Sequence, residues 1–276
     1  MKHHKLITAL SICFSTFFHC AAQQESHQDE LIESVNVVIT DDAYLAPDSV
    51  RSGFVSLHLD NRSSEMHSAH LIKLENGYST QELISAYTDS LRNSGGRPDW
   101  MIHRGGVISE PGTSSIIMYL EPGQYTWVCV MGSDTNPHFA GHEHKSLTVH
   151  GEPKSGANLP KADLTITMTD DGFDMSESIV QGDQSIDILN SGSKYHLVAI
   201  SKLNTNSTAQ DLINWFSTYQ GPPPAQGVIA TSAIGPELNA RINISFEPGE
   251  YILYCMANAD GQFHLLDGEY LSSSVN

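Results

Sequence analysis

Basic residues are scarce in this chain. Lys and Arg number 14 against 32 Asp and Glu in 276 residues, and Lys2 and Lys5 fall in a leader, which leaves 12 basic residues in the body. So acidic a body is repelled by nucleic acid and by anionic membrane surfaces, which excludes nucleic acid as a partner. Long apolar runs are scarce too. The run Leu6 to Phe18 follows a positive start and precedes Cys20-Ala21-Ala22, a small-residue cleavage site, so residues 1–22 read as a secretory signal peptide. The run is too short for a permanent membrane span, and the bulky His19 argues against lipid on Cys20. The expected location is periplasmic or secreted. Cysteine is the third scarcity: Cys13 and Cys20 go with the leader, leaving only Cys129 and Cys255. One cysteine per half excludes an intradomain disulfide. A Cys129 to Cys255 bridge, two inert buried thiols and metal ligation all stay open.

What the chain does have is an internal repeat. Glu121-Pro122-Gly123-Gln124-Tyr125-Thr126-Trp127-Val128-Cys129, then Pro137-His138 and Gly141-His142-Glu143, recurs 126 residues later as Glu247-Pro248-Gly249-Glu250-Tyr251-Ile252-Leu253-Tyr254-Cys255, Phe263-His264 and Asp267-Gly268-Glu269. The same offset links His70 to His196, so each half reads as a His, a Cys 59 residues on, a His 9 further and a Glu 5 beyond. A thiolate, two imidazoles and a fourth donor converging in one fold suit copper. The duplication predicts two domains, 33–150 and 163–276, joined by a Gly- and Pro-containing linker over 151–162.

Alternation predicts a strand at Val35, Val37 and Ile39, echoed by Leu164, Ile166 and Met168, and another at 54–61, echoed by 185–190; these earlier strands repeat at an offset of 129. The three extra residues of the first half are therefore assigned to Arg62 to Ala69. Ser79 and Glu82 form a capping box ahead of a helical stripe at Leu83, Ile84, Tyr87 and Leu91, and Ser207 to Gln210 precede Leu212, Ile213, Trp215, Phe216 and Tyr219 in the same way. Both helices are expected to pack as lids, their stripes in the core. Short strands broken by Gly and Pro turns predict an all-β chain of two tandem antiparallel Greek-key β-sandwiches, each with an inserted short α-helix. Tyr125, Trp127 and Cys129 fall on one strand face, as do Tyr251, Leu253 and Cys255.

With these residues placed, both halves resemble cupredoxins, the plastocyanin and azurin family of type 1 copper proteins. The resemblance implies a cupredoxin-like fold, copper as cofactor with one ion per domain, one-electron transfer or copper holding, and a redox or copper-exchange protein as partner. It implies His70, Cys129 and His138 as ligands in the first half and His196, Cys255 and His264 in the second. Glu143 and Glu269 stand where the family usually has an axial Met, and a hard carboxylate there favours Cu(II) and admits Zn(II). Met131 and Met256, at unmatched offsets, read as core filling. His67, His142 and His144 have no counterpart in the second half and read as loop histidines, with extra surface copper or zinc as the alternative. Cys129 is followed by Val130 and Cys255 by Met256, so the His beside Cys that joins copper centres in multicopper oxidases and nitrite reductases is missing. Such an enzyme, and a metal-free interaction module, remain as alternatives.

Overall fold

The computed structural model describes residues 32–93, 98–133, 136–258 and 263–276. Residues 1–22, expected as a signal peptide, the polar stretch to Leu31, parts of three loops and the side chain of Leu91 lie outside what is described. The first half runs β1 (Glu33–Thr40), β2 (Ala43–Leu45), β3 (Ser49–Arg51), β4 (Gly53–Asn61), β5 (His67–Leu74), α1 (Thr80–Asn93), β6 (Met101–Ser109), β7 (Gly112–Leu120), β8 (Gly123–Val128), β9 (Gly132–Ser133), β10 (Asn136–Pro137) and β11 (His144–His150). The second runs β12 (Leu164–Thr169), β13 (Gly172–Met175), β14 (Gly182–Asn190), β15 (Ala199–Leu203), α2 (Ala209–Thr218), β16 (Ala225–Thr231), β17 (Asn239–Phe246), β18 (Gly249–Tyr254) and β19 (Tyr270–Val275). Single 3-10 turns follow at His138–Ala140 and His264–Asp267.

Each half is the expected two-layer β-sandwich with one inserted helix, and the layers continue across the halves. One sheet has the order β13-β12-β14-β17-β7-β4-β1-β2, the other β19-β18-β15-β16-β6-β5-β8-β11-β3. Two antiparallel seams join the lobes: β17 to β7 through Ala240↔Met118 and Arg241↔Ile117, and β16 to β6 through Ala230↔Ile108 and Thr231↔Val107. The sheets are not purely antiparallel as expected, because β1 with β4, β12 with β14 and β3 with β11 pair in parallel. Alternation of side chains is the same in either direction, so the sequence pattern carries no sign of this.

The interior explains why these strands form. Val35, Val37, Ile39, Leu57, Leu59 and Ile116 are buried against Tyr125, Trp127 and Leu147, and Ile166, Ile186, Ile188 and Ile242 against Tyr251 and Leu253. Each such aliphatic side chain contributes roughly 1.5–3 kcal/mol when fully buried. The Tyr125 and Tyr251 hydroxyls donate to the carbonyls of Glu121 and Glu247 at 2.9 Å, which closes the two Glu-Pro-Gly turns identically. Asn61 and Asn190, buried at the ends of β4 and β14, each donate twice, to Glu65 and Ser109 carbonyls and to Lys194 and Ile234 carbonyls.

The helices differ from expectation in two respects. Ser79 and Glu82 cap α1 reciprocally, but the second box is Thr208 with Asp211, one residue later than read. On α1, Leu83, Ile84 and Tyr87 are buried; on α2 only Leu212 is, while Trp215 and Phe216 are half-buried and Tyr219 is exposed. Ile213, Trp215 and Phe216 still pack against the core cluster that holds Leu212, and Tyr219 is the stripe residue left outside it, in ring contact with Trp215 and Phe216.

Candidate metal centres

The sequence brings each Cys to its partners by the same steps. β8 ends at Val128, so Cys129 is the first residue beyond the ladder, and its amide donates to the Glu143 carbonyl at 2.9 Å; Cys255 does the same to Glu269 at 3.1 Å. The return loops are fixed by His138 N–H to the Met131 carbonyl at 3.0 Å and His264 N–H to the Ala257 carbonyl at 3.1 Å. In the first loop Gly132 has φ +98°, and a Cβ there would meet the Asn136 carbonyl at 2.5 Å and the His138 ring at 2.8 Å. A side chain at that position would push the histidine away from the sulfur.

Two groups of four result: His67, Cys129, His138 and Glu143, and His196, Cys255, His264 and Glu269. In the first, Cys129 Sγ lies 3.6 Å from His67 Nδ1 and 3.5 Å from His138 Nδ1, the two Nδ1 atoms are 3.2 Å apart, and Glu143 Oε2 is 2.7 Å and 3.5 Å from them. In the second, Cys255 Sγ is 3.8 Å from His196 Nδ1 and 3.6 Å from His264 Nδ1, with Glu269 Oε2 at 3.0 Å and 3.1 Å. A four-coordinate ion with bonds of about 2.0 Å to nitrogen and about 2.3 Å to sulfur needs N···N edges of about 3.3–3.5 Å and N···S edges of about 3.5–3.7 Å. The sulfur to nitrogen separations of 3.5–3.8 Å and the 3.2 Å between His67 Nδ1 and His138 Nδ1 are close to those edges, while the Glu143 contact with His67 at 2.7 Å and the Glu269 contacts at 3.0 and 3.1 Å are hydrogen bonds that an ion would open; a thiolate with two imidazoles suits copper, so each half fits one copper ion.

His70 is not in the first group; His67 takes the position expected of it. An odd separation of three residues along β5 puts the two rings on opposite faces of the strand, and only His67 faces Cys129. His70 instead sets its Nε2 3.1 Å from His103 Nδ1. The signal for His67 was in the sequence: Asn61 to Asn190 is an offset of 129, and 129 also carries His67 to His196. The offset persists through Lys73 and Lys202, which pair with Glu121 and Glu247. It persists again through the Ser79 and Thr208 caps, so the three extra residues lie beyond Glu82 rather than in Arg62 to Ala69. α1 with 14 residues against α2 with 10 lies within that interval, which ends at Glu121 and Glu247, where the offset is 126. His144 turns its Nδ1 to the Phe139 carbonyl at 2.9 Å and belongs to neither group.

No protein-family profile and no curated protein sequence matches the chain. Among solved structures, the fold is similar to a multicopper oxidase, 14% identical over 89% of this chain and 88% of that one, with a TM-score of 0.26. It is also similar to dithionite-reduced auracyanin from Roseiflexus castenholzii, 21% identical over 41% of this chain and 94% of that one, TM-score 0.29. Auracyanin A, a blue copper protein from Chloroflexus aurantiacus, aligns at 13% identity over 43% of this chain and 99% of that one, TM-score 0.32. The chemistry of the two groups rests on their own atoms.

Neither Cys forms a disulfide, which removes the Cys129 to Cys255 bridge. Burial pushes both thiols up to about 12, against which backbone N–H groups of Ser68 and Met131 hold the Cys129 sulfur down and those of Leu197 and Ala257 the Cys255 sulfur. A cation in the cluster supplies the countercharge that a buried thiolate lacks.

The groups around the clusters are unequal. In the second, His196 Nε2 lies 3.0 Å from Asp170 Oδ1, and Asp170 itself accepts from Ser193 Oγ, Ser193 N and Lys194 N. These bonds, the Ser193 hydroxyl first and His196 next, hold the Asp170 carboxyl well below its ordinary range. Gly192 makes room for the contact, since a Cβ there would lie 2.5 Å from Asp170 Oδ1 and 2.9 Å from His196 Nε2. In the first cluster the outer carboxylate is Glu65, 3.4 Å from His138 Nε2 and 71% exposed.

Proposed function

We propose that this is an exported two-domain copper protein, residues 33–150 and 163–276 flanking a linker at 151–162, that passes single electrons or holds copper for delivery. The observation that carries the reading is the doubled cluster, each with two imidazole nitrogens, a thiol sulfur and a carboxylate oxygen all within 4.8 Å of one another. His67, Cys129, His138 and Glu143 would hold the first ion, and His196, Cys255, His264 and Glu269 the second. Copper so bound cycles between Cu(I) and Cu(II) with little rearrangement, because two imidazoles and a thiolate suit both states. The protein's part is to keep all four imidazole Nδ1 atoms aimed inward, to exclude water around 0%-exposed sulfurs, and to supply N–H donors to those sulfurs. Glu143 and Glu269 in place of a thioether favour Cu(II) and a low potential. The partner is a redox or copper-exchange protein, reached after export by residues 1–22.

The test is metal content and visible spectrum of the mature protein titrated with Cu(II). Two equivalents and strong thiolate-to-copper absorption are expected, halved in Cys129→Ser and in Cys255→Ser and absent in the double variant. A colourless protein that takes up Zn(II) in preference would replace copper with a structural ion, and one that binds neither metal would leave an interaction module.

A further inference from the structure

Between the lobes lies a cavity of about 580 Å³ that both metal-binding loops help to line. Met131, two residues beyond Cys129, and Met256, immediately after Cys255, both line it, as does Met66, 41% exposed. His138 of the first cluster forms part of its wall, whereas His264 of the second does not. Its floor carries His70 and His103, buried at 1% and 5% exposure, with Nε2 and Nδ1 3.1 Å apart and the rings nearly perpendicular at 89°. The His103 ring stacks on Tyr195 of the other lobe at 4.6 Å.

We propose that this cavity is a third metal site, one that takes Cu(I), with His70 and His103 as imidazole donors and the thioethers of Met131 and Met256 closing it. His70 Nε2 and His103 Nδ1 share one N–H···N hydrogen bond at 3.1 Å, close to the 3.2 Å between His67 Nδ1 and His138 Nδ1; moving its proton to the outer nitrogen of the donating ring and opening the pair to about 3.3–3.5 Å gives one ion both lone pairs. Thioether and neutral imidazole are soft or borderline donors, which select a cuprous ion. Among the cavity's lining residues the carboxylate is Glu65, which reaches His138 instead of the His70 and His103 pair. A neutral donor set buried this deeply compensates one positive charge more readily than two. Position gives the site its role: an ion resting here is next to the one cluster ligand that opens on the cavity, so the site is a vestibule through which Cu(I) enters the first centre. The role rests on the copper reading of the clusters, while the site itself stands on separate residues.

The experiment uses the full mature chain carrying Cys129→Ser and Cys255→Ser, with Ag(I) as a redox-inert, diamagnetic stand-in for Cu(I). With methionine methyls labelled with carbon-13, saturable binding is expected to move the Met131 and Met256 signals and leave the core methionines Met118 and Met168 unmoved. Met131→Leu with Met256→Leu, volume-conserving in this setting, should weaken binding at least tenfold. His103→Phe, which keeps a ring against Tyr195, should abolish the methyl shifts. Unmoved Met131 and Met256 methyls, or unchanged affinity in the paired Leu variant, would overturn the site. Failure of the copper reading shows separately: a wild-type protein without thiolate colour, whose Cys-free form still shifts both methyls with silver, loses the clusters and keeps the vestibule.

Discussion

Asp170→Asn is expected to damage the second centre far more than Glu65→Gln, at the carboxylate beside His138, damages the first. The Asp170 carboxylate sits 3.0 Å from His196 Nε2 and is itself held by three further donors, so with an ion bound it accepts the Nε2 proton and leaves the Nδ1 lone pair to the metal. Removing an outer partner of this kind costs on the order of 10–100-fold in metal affinity, about 1.4–2.7 kcal/mol. Glu65, 71% exposed and 3.4 Å from His138 Nε2, is worth under about 1 kcal/mol, a change of less than about fivefold. Each centre is isolated by the serine variant of the other cysteine, and Cu(II) affinity is read by competition with a chelator of known strength. A Zn(II)-loaded, diamagnetic protein offers a second readout: the His196 Nε2 proton should exchange slowly with water in the parent and faster in Asp170→Asn. Equal losses at the two centres, or unchanged exchange, would refute the assignment of Asp170 as the positioning residue.

In the Cys255→Ser background, His67→Ala should abolish thiolate-to-copper absorption, whereas His70→Ala should retain it; the reverse would restore the equal-offset assignment. Gly192→Ala forces a Cβ between Asp170 and His196 and should lower copper affinity at the second centre by tenfold or more, measured in the Cys129→Ser background. The metal-free protein should lose stability in alkali. Because the folded thiols stay protonated up to about 12, the unfolded chain loses its thiol protons first, and stability that is full below pH 9 falls between pH 9 and 12. At pH 10.5 the loss is about 2 kcal/mol per thiol, read by urea denaturation as a gap that the Cys129→Ser and Cys255→Ser double variant lacks.

Cys129, His138 and Glu143, with their second-half counterparts, were legible because one short stretch from β8 to β11 holds them and repeats without insertion. His67 was misread because its half-site is separated from that stretch by α1, where the repeat changes length, and a ligand on the far side of such a change cannot be placed by the near side's offset. The strand positions came from alternation, which fixes faces and not partners, so the parallel pairs were beyond its reach. Contacts between lobes were equally illegible. The residues at the seams, Val107, Ile108, Ile117 and Met118 against Ala230, Thr231, Ala240 and Arg241, look like any strand edge until the other lobe is set beside them.

Those seams bear on how the molecule can move. Backbone hydrogen bonds cross from lobe to lobe in both layers, and the Ser232 and Gly235 amides add further ties to Gly106 and His103. Rotation about the 151–162 segment would have to tear two ladders together. That segment is a tether whose cleavage should leave the halves attached, and the gap between the cysteine sulfurs is a constant of the architecture. Under the proposed copper reading, the distance between the two centres is set by these seams and not by the segment that links the halves.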